Sequence, residues 1–166
     1  QKLNRIVGQM TRITSELQKT AMSMRMVPIR QTFQRMIRLV RDLTRKSGKE
    51  VELTMIGADT EIDRNMVEVI YDPLVHMVRN SVDHGVEMPD AREEQGKSRQ
   101  GSVVLRAFHQ GGNVVIQIED DGKGLDREKI LQKAITNGLT TADANLSDAA
   151  IYNMIFQPGF STAEKV

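Results

Sequence analysis

The chain has 166 residues, of which 39% are hydrophobic and 27% charged, a balance typical of soluble globular proteins. A formal net charge of +1 gives no general attraction to nucleic acid or acidic membranes, and the lack of cysteine excludes disulfides, thiolate metal sites and cysteine nucleophiles. No apolar run approaches the roughly 20 residues of a membrane span, and residues 1–166 are not expected to include a signal peptide. Because residue 1 is Gln, we expect a fragment or a processed product.

Residues 1–26 carry apolar side chains at alternating steps of three and four, which predicts a long helix with a seam for a partner helix. The seam comprises Leu3, Ile6, Met10, Ile13, Leu17, Thr20 and Met24. About three heptads are marginal alone, so a second chain or another segment is expected to bury the seam. The alternative is an ordinary amphipathic helix that lies on its own domain.

Pro28 interrupts this helix, and a second helix is predicted from about Ile29 to Lys46. Its apolar face comprises Phe33, Met36, Ile37, Val40 and Leu43. Gly48 provides a stop signal just after the helix. The alternation of apolar and polar residues over 50–55 then predicts a half-buried strand.

The remaining pattern predicts a helix, a polar connection, a hairpin and two more helices. A helix is predicted over 63–71, which Asp72-Pro73 restarts, and a loop with a short helix over 86–101. Strands follow over 102–109 and 113–120, joined by Gly111-Gly112. The last elements are a helix from Asp126 to Asn137-Gly138, a short helix from Ser147 to Phe156, and a turn or loop over 156–162. This order predicts an α+β fold in which one helical layer covers one face of a mixed sheet.

Three polar residues, His76, Asn80 and Asp83, lie within roughly 60° of one another on the helix after Pro73, at about 100° per residue. Burying an imidazole, an amide and a carboxylate is costly unless each has a partner, so a ligand-binding stripe is one interpretation. A solvent-exposed stripe is the other. The run Asp83-His84-Gly85 could also be a simple helix C-cap.

Asp120 continues the parity of the apolar residues at 114, 116 and 118, so its carboxylate is predicted to point toward the interior. A donor such as a ligand amino group would satisfy it there. Gly122 and Gly124 remove side chains where the backbone turns sharply or approaches a ligand. A tight Asp-Gly turn without a binding role is the alternative. The spacing superficially resembles that of a calcium-binding loop, but the two glycines fill positions at which such a loop needs acidic residues.

A His-x-x-x-Asn run on a helix, followed by a strand ending in Asp-x-Gly-x-Gly, resembles the ATP-binding domain shared by sensor histidine kinases, type II topoisomerases, a class of heat-shock chaperones and MutL. The longer runs over 25–29, 72–87, 120–126 and 156–166 are similar to CheA-type chemotaxis histidine kinases. The resemblance implies a two-layer α/β sandwich preceded by an N-terminal dimerisation helix. Residues 1–26 would belong to a helical dimerisation domain. Residues 27–166 would form the ATP-binding kinase domain, truncated before the family's second Gly-rich segment.

The resemblance also implies roles for individual residues. Asn80 would offer its amide oxygen to a Mg²⁺ that bridges the ATP phosphates, and Asp120 would accept a hydrogen bond from the adenine amino group. His76 stands where the superfamily places a catalytic group that acts on the attacking nucleophile, a Glu in the ATPases. Further nucleotide contacts are implied for Arg79, Asp83, His84, Gly122, Gly124, Lys129 and Lys133. The last two share a helix face, which could equally be solvated surface.

By resemblance, the parent protein is a cytoplasmic two-component chemotaxis kinase that binds Mg-ATP and transfers the γ-phosphoryl group to a histidine on a separate domain, in trans within a homodimer. Its implied partners are the phospho-accepting His domain, a coupling protein, chemoreceptors and response regulators, with membrane association only through receptor complexes. Neither a nucleic-acid partner nor membrane insertion is expected. These residues alone are expected to be inactive.

Two alternatives stay open. One is a non-catalytic dimerisation and nucleotide-binding module, in which residues 1–26 carry the main role. The other is an ATPase of the topoisomerase or heat-shock chaperone kind, which would need a carboxylate where this chain has His76.

Overall fold

The structure, a computed structural model, describes residues 2–23, 25–157 and 160 and divides the chain into two units, Gln1–Gly122 and Lys123–Val166. The first unit contains α1 (Lys2–Ser23), β1 (Met26–Pro28), α2 (Arg30–Ser47), β2 (Val51–Ile56), β3 (Glu61–Asp63), α3 (Arg64–Asn80), a π-helical turn (Ser81–Gly85), α4 (Pro89–Glu94), β4 (Gly101–Gln110) and β5 (Asn113–Asp120). The second unit contains α5 (Arg127–Thr136), α6 (Asp148–Asn153) and a 3₁₀ turn (Met154–Phe156).

A three-stranded mixed sheet in the order β2-β4-β5 forms the centre of the first unit. β2 runs parallel to β4, with Leu53 opposite Val103, and β4 runs antiparallel to β5, with Leu105 opposite Ile118. The predicted hairpin at 111–112 joins β4 to β5, where both glycines have positive φ. The prediction of a mixed sheet is therefore confirmed.

One helical layer, made by α2 and α3, packs on this sheet and buries its apolar face, as the sequence predicted. The core comprises Ile29, Phe33, Met36, Val40, Leu43, Ile62, Leu74, Val78, Val82, Val86, Val103, Leu105 and Ala107. Full burial of each large side chain contributes about 1.5–3 kcal/mol before entropy is counted. The predicted face of α2 is confirmed, with Ile37 half-buried at its margin, and Gly48 ends the helix with a φ of 74°.

α3 runs without a break from Arg64 to Asn80, so the prediction that Asp72-Pro73 begins a new helix is wrong. Pro73 is exposed, whereas Leu74 and Val78 are buried in the core. A proline inside a helix removes one backbone hydrogen bond. Burial of the opposite face holds the helix together despite that loss.

A second sheet, of two antiparallel strands, was not predicted. It pairs β1 with β3, with Val27 opposite Ile62. Strands of three residues are too short to show an alternation in the sequence. Asp63, the last residue of β3, is also the N-cap of α3, since its carboxylate accepts a hydrogen bond from the Asn65 N–H at 2.8 Å.

The predicted N-terminal helix is present as α1, which ends at Ser23. Every side chain over residues 5–21 is exposed, including Met10 at 65% and Leu17 at 64%. The Leu3 side chain and Met24 lie outside what the structure describes. Among the described residues, no helix combines the length and apolarity needed to cross a membrane.

In the second unit, Asp126 and Ser147 cap the two helices, and their side chains accept hydrogen bonds from first-turn N–H groups at 3.1 and 3.3 Å. α5 ends at Thr136, close to the predicted stop. The helix predicted to reach Phe156 is α-helical only to Asn153 and ends in the 3₁₀ turn. Much of the turn predicted over 156–162 lies outside the described residues.

Candidate functional site

The end of α3 continues into the π-helical turn rather than into a simple C-cap. The Val86 N–H donates to the Ser81 carbonyl, five residues earlier, at 2.8 Å. Lys49 supports the turn from outside, because its Nζ donates to the carbonyls of Val82 and Asp83 at 2.7 and 2.6 Å. Turns of this kind are frequent at functional sites. Neither Lys49 nor the π geometry was predicted from the sequence pattern.

The polar stripe on α3 faces solvent. His76, Arg79, Asn80 and His84 are exposed, and Asp83 is half-buried. The stripe is therefore solvent-exposed, and its role in ligand binding stays a prediction. Because these groups keep their hydration, the structure needs no buried partner for them, and all of them are accessible to a ligand.

Asp120, the last residue of β5, lies beside the π-helical turn. A Cβ placed on Gly85 would come within 3.0 Å of Asp120 Oδ1, and the same oxygen accepts a hydrogen bond from the Gly122 N–H at 3.1 Å. The prediction that this carboxylate enters the interior is wrong, because Asp120 is exposed. It ends an edge strand of the described sheet, so solvent reaches it.

Gly122 packs directly on the backbone of the π-helical turn. A Cβ on Gly122 would lie 2.2 Å from the Gly85 carbonyl oxygen and 2.8 Å from the Val86 nitrogen, closer than real atoms approach. Its φ is not positive, so close approach rather than turn geometry requires glycine here. The structure thus brings together Gly85, Asp120 and Gly122, from two runs about 40 residues apart in sequence.

Gly124, Lys129 and Lys133 belong to the second unit. Gly124 has a φ of 71°, a conformation that favours glycine. Lys129 is exposed on α5 and lies 3.7 Å from the Asp126 carboxylate, and Lys133 is half-buried. Their nucleotide roles stay predictions.

A charge cluster around the buried Arg92 adjoins the Asp120–Gly122 turn. Arg92, in α4, is 1% exposed, and its guanidinium donates to Glu87 at 3.0 Å and to Asp121 at 2.8 Å. Lys97 Nζ donates to the second oxygen of Glu87 at 2.7 Å and to the Gly122 carbonyl at 3.0 Å. Sequence reasoning missed this cluster, because residues 86–101 have the composition of a loop and nothing in the pattern distinguishes a buried arginine from an exposed one.

The cluster favours the ionised form of both carboxylates. Burial raises the pKa of Glu87, but the hydrogen bond and charge of Lys97 and the charge of Arg92 outweigh it and leave the pKa lowered. Burial also raises the pKa of Asp121, whereas the Ser102 N–H, at 2.9 Å, and the Arg92 guanidinium lower it to below its usual value.

Residues 69–165 match the family described as histidine kinase-, DNA gyrase B-, and HSP90-like ATPase. The chain therefore belongs to this ATPase family. The fold predicted from sequence, a two-layer α/β sandwich of that type preceded by an N-terminal helix, is confirmed.

Curated relatives define the resemblance more closely. The chain is 51% identical over 160 residues to the chemotaxis protein CheA of Salmonella typhimurium, covering 96% of this chain and 24% of that protein. It is 48% identical over 167 residues to CheA of Bacillus subtilis, covering 99% and 25%. It is 44% identical over 168 residues to the sensor histidine kinase CheAY of Helicobacter pylori, covering 100% and 21%. The predicted similarity to CheA-type kinases is confirmed, and the chain spans about a quarter of the length of these relatives.

Proposed function

We propose that this chain is the nucleotide-binding part of a two-component chemotaxis histidine kinase, which binds Mg-ATP and passes the γ-phosphoryl group to a histidine on a separate domain. The observation that carries this proposal is the exposed Asp120 carboxylate at the end of β5, beside the π-helical turn on which Gly122 packs closely. The amino group of adenine is a hydrogen-bond donor that suits an accessible carboxylate. The similarity to CheA supports kinase activity over the topoisomerase-like alternative.

The metal would bind near Asn80. Its exposed amide is a hard oxygen ligand, and Mg²⁺ usually takes one or two protein ligands and the rest from phosphate and water. No group of three or more His, Asp or Glu side chains among the described residues could hold a metal by itself. This residue set therefore suits a metal that arrives with the nucleotide rather than a permanent metal centre.

The other predicted residues would act on the phosphates. His76, exposed one helical turn before Asn80, would contact the transferred phosphoryl group or the incoming imidazole. Arg79, also exposed, would add positive charge, and the exposed His84 would offer an imidazole to the phosphates, with Asp83 positioned between them in sequence. Gly124, Lys129 and Lys133 keep the nucleotide roles that the resemblance implies. Catalysis would rest on orientation and charge neutralisation rather than on covalent work by these residues.

Asp120→Asn should weaken ATP and adenosine binding by roughly 10–150-fold, because a hydrogen bond to a charged group is worth about 1.5–3 kcal/mol. Calorimetric titration of the full-length protein measures both affinities. The matched control is Glu119→Gln, since Glu119 is an exposed neighbour that pairs with Arg106 on the surface at 2.6 Å and should leave both affinities unchanged. Equal losses in the two variants would contradict the adenine role of Asp120.

Asn80→Ala should erase the dependence of ATP affinity on Mg²⁺ and abolish phosphotransfer, while adenosine affinity stays the same. The reason is that the variant removes the amide ligand without touching the adenine end. Titrations with and without Mg²⁺ give the measurement. A variant whose ATP affinity still rises normally with Mg²⁺ would show that Asn80 is not the ligand.

Residues 1–26 would form part of a helical dimerisation domain, and residues 27–166 the kinase domain. The support is the apolar seam of α1, whose Ile6, Met10, Ile13 and Leu17 side chains are each more than half exposed. Burial of such side chains against a second copy would favour a dimer. By the same similarity, we place the kinase in the cytoplasm, with the coupling protein, chemoreceptors, response regulators and the phospho-accepting domain as its partners.

Leu17→Glu should shift the full-length protein from dimer to monomer, because it places a charge in the seam of each helix. Ser15→Glu is the matched control, since it adds the same charge on the opposite side of α1 and should leave the dimer intact. Sedimentation velocity over a range of concentrations distinguishes the two. A dimer that persists in Leu17→Glu would place the interface elsewhere.

A further inference from the structure

We propose that four residues, Arg92, Glu87, Asp121 and Lys97, form a latch that positions Asp120 for recognition of the adenine amino group. This inference rests on the proposed nucleotide site. None of the four is proposed to touch the nucleotide, so they are positioning residues rather than catalytic ones.

The latch joins the two sequence runs that build the site. Glu87 follows Gly85 by two residues, and Asp121 directly follows Asp120. Arg92 lies between them, because Nη1 donates to Glu87 Oε2 at 3.0 Å and Nη2 donates to Asp121 Oδ2 at 2.8 Å. One guanidinium therefore fixes the end of the π-helical turn relative to the end of β5.

The backbone of the Gly-rich turn is held by the same residues. Lys97 Nζ donates to the carbonyls of Asp121 and Gly122 at 3.2 and 3.0 Å, and Arg92 Nη1 donates to the Asp121 carbonyl at 3.3 Å. The N–H of Gly122 then donates to Asp120 Oδ1 at 3.1 Å. The peptide unit between Asp121 and Gly122 thus links the two ends, since its carbonyl accepts from the buried guanidinium and its N–H donates to the proposed ligand-binding carboxylate.

A buried ion pair is weak evidence for stability, because desolvation offsets much of the Coulombic gain. The consequence of the ion pairs here is instead that they fix the relative positions of the two carboxylates. Arg92 is 1% exposed and its fork is rigid, so the Arg92 contacts allow one arrangement of Glu87 and Asp121. A hydrogen bond to adenine requires a heavy-atom distance of about 2.7–3.2 Å, which a loosely held carboxylate would not keep.

Arg99 offers a matched control in the same segment. Its guanidinium donates to Glu50, Asp90 and Glu93 at 3.0, 2.9 and 3.0 Å, and none of these residues belongs to the Asp120–Gly122 turn. Arg99→Lys therefore makes the same chemical change in an ion-pair network that does not reach Asp120.

The test compares adenosine with inosine, which lacks the amino group, by calorimetric titration of the full-length protein. Arg92→Lys and Glu87→Gln should each weaken adenosine binding by about tenfold, the scale expected for a displacement of a fraction of an ångström. Inosine affinity should change little, so the preference for adenosine should collapse. Arg99→Lys should keep the wild-type preference. Circular dichroism establishes that each variant is folded, and Glu87→Gln decides the matter if Arg92→Lys does not fold.

If the ratio of the adenosine affinity to the inosine affinity stays at the wild-type value in the folded latch variants, the latch is contradicted, whereas the proposed nucleotide site is not. Equal weakening of both nucleosides would also overturn it, because that result describes a general loss of structure. A wild-type protein that binds adenosine and inosine equally would instead overturn the proposed adenine role of Asp120, and the latch with it.

Discussion

Gly122→Ala should abolish measurable ATP binding. The added Cβ would lie 2.2 Å from the carbonyl oxygen and 2.3 Å from the carbonyl carbon of Gly85. Overpacking of this kind costs about 1–3 kcal/mol, and here the obstacle is backbone, which cannot rotate away as a side chain can. The Asp120 turn must therefore move from the π-helical turn. A misplacement of even about 1 Å can cost roughly 100-fold in a binding or catalytic geometry.

Calorimetric titration with ATP measures the loss, and Gly112→Ala is the matched control. Gly112 has a φ of 79° with no atom near the position of a new Cβ, so its substitution introduces backbone strain without a clash. That variant should lose only stability, by roughly 1–2 kcal/mol, and keep its ATP affinity. Normal ATP binding by Gly122→Ala would show that the contact between Gly122 and Gly85 is dispensable.

Arg92→Met should lower the free energy of unfolding by about 1.5–3 kcal/mol, the scale of a hydrogen bond to a charged group, because Glu87 keeps Lys97 and the Asp121 side chain is 47% exposed. Methionine fills much of the volume, so the loss reports the missing guanidinium. Glu87, whose side chain is 7% exposed, would keep Lys97 but lose Arg92, and Asp121 would lose its guanidinium partner. Urea unfolding at neutral pH gives the free energy.

Arg99→Met is the control for that measurement. Its partners are about half exposed or more, and exposed ion pairs contribute about 0–1 kcal/mol each. Because the pKa values of Glu87 and Asp121 are lowered in the folded protein, the stabilisation by these carboxylates is present at neutral pH and is lost as the pH falls below about 4. The difference between wild type and Arg92→Met should shrink over that range. Equal losses at Arg92 and Arg99 would contradict the distinction between the buried Arg92–Glu87 pair and the exposed ion pairs of Arg99.

Elements with a local period were predictable. The spacing of Phe33, Met36, Val40 and Leu43 reports one face of a helix, and that face is buried in the structure. The alternation over 50–55 and the glycine pair at 111–112 likewise predicted β2 and the hairpin. These features depend on the geometry of a single helix or strand, which neighbouring residues encode directly.

Elements that depend on contacts between residues far apart in the sequence were missed or wrongly predicted. β1 and β3 are three residues each and exist through their pairing with one another, which no short window contains. Pro73 was predicted to begin a helix because local preference favours a first turn. The structure keeps α3 continuous, since burial of Leu74 and Val78 outweighs the one lost hydrogen bond.

The sequence by itself determined the chemistry available to this protein: an imidazole, an amide and a carboxylate in fixed order, followed by a Gly-rich turn. Only the tertiary structure decided that Asp120 is exposed, that Gly122 lies against Gly85, and that Arg92 is buried between two carboxylates. Periodicity gives the face on which a residue lies but not the distance between residues 85 and 122. The burial of a charge likewise depends on partners that are brought to it by the packing of separate elements, and this is why candidate site residues could be named from the sequence while the contacts that position them could not.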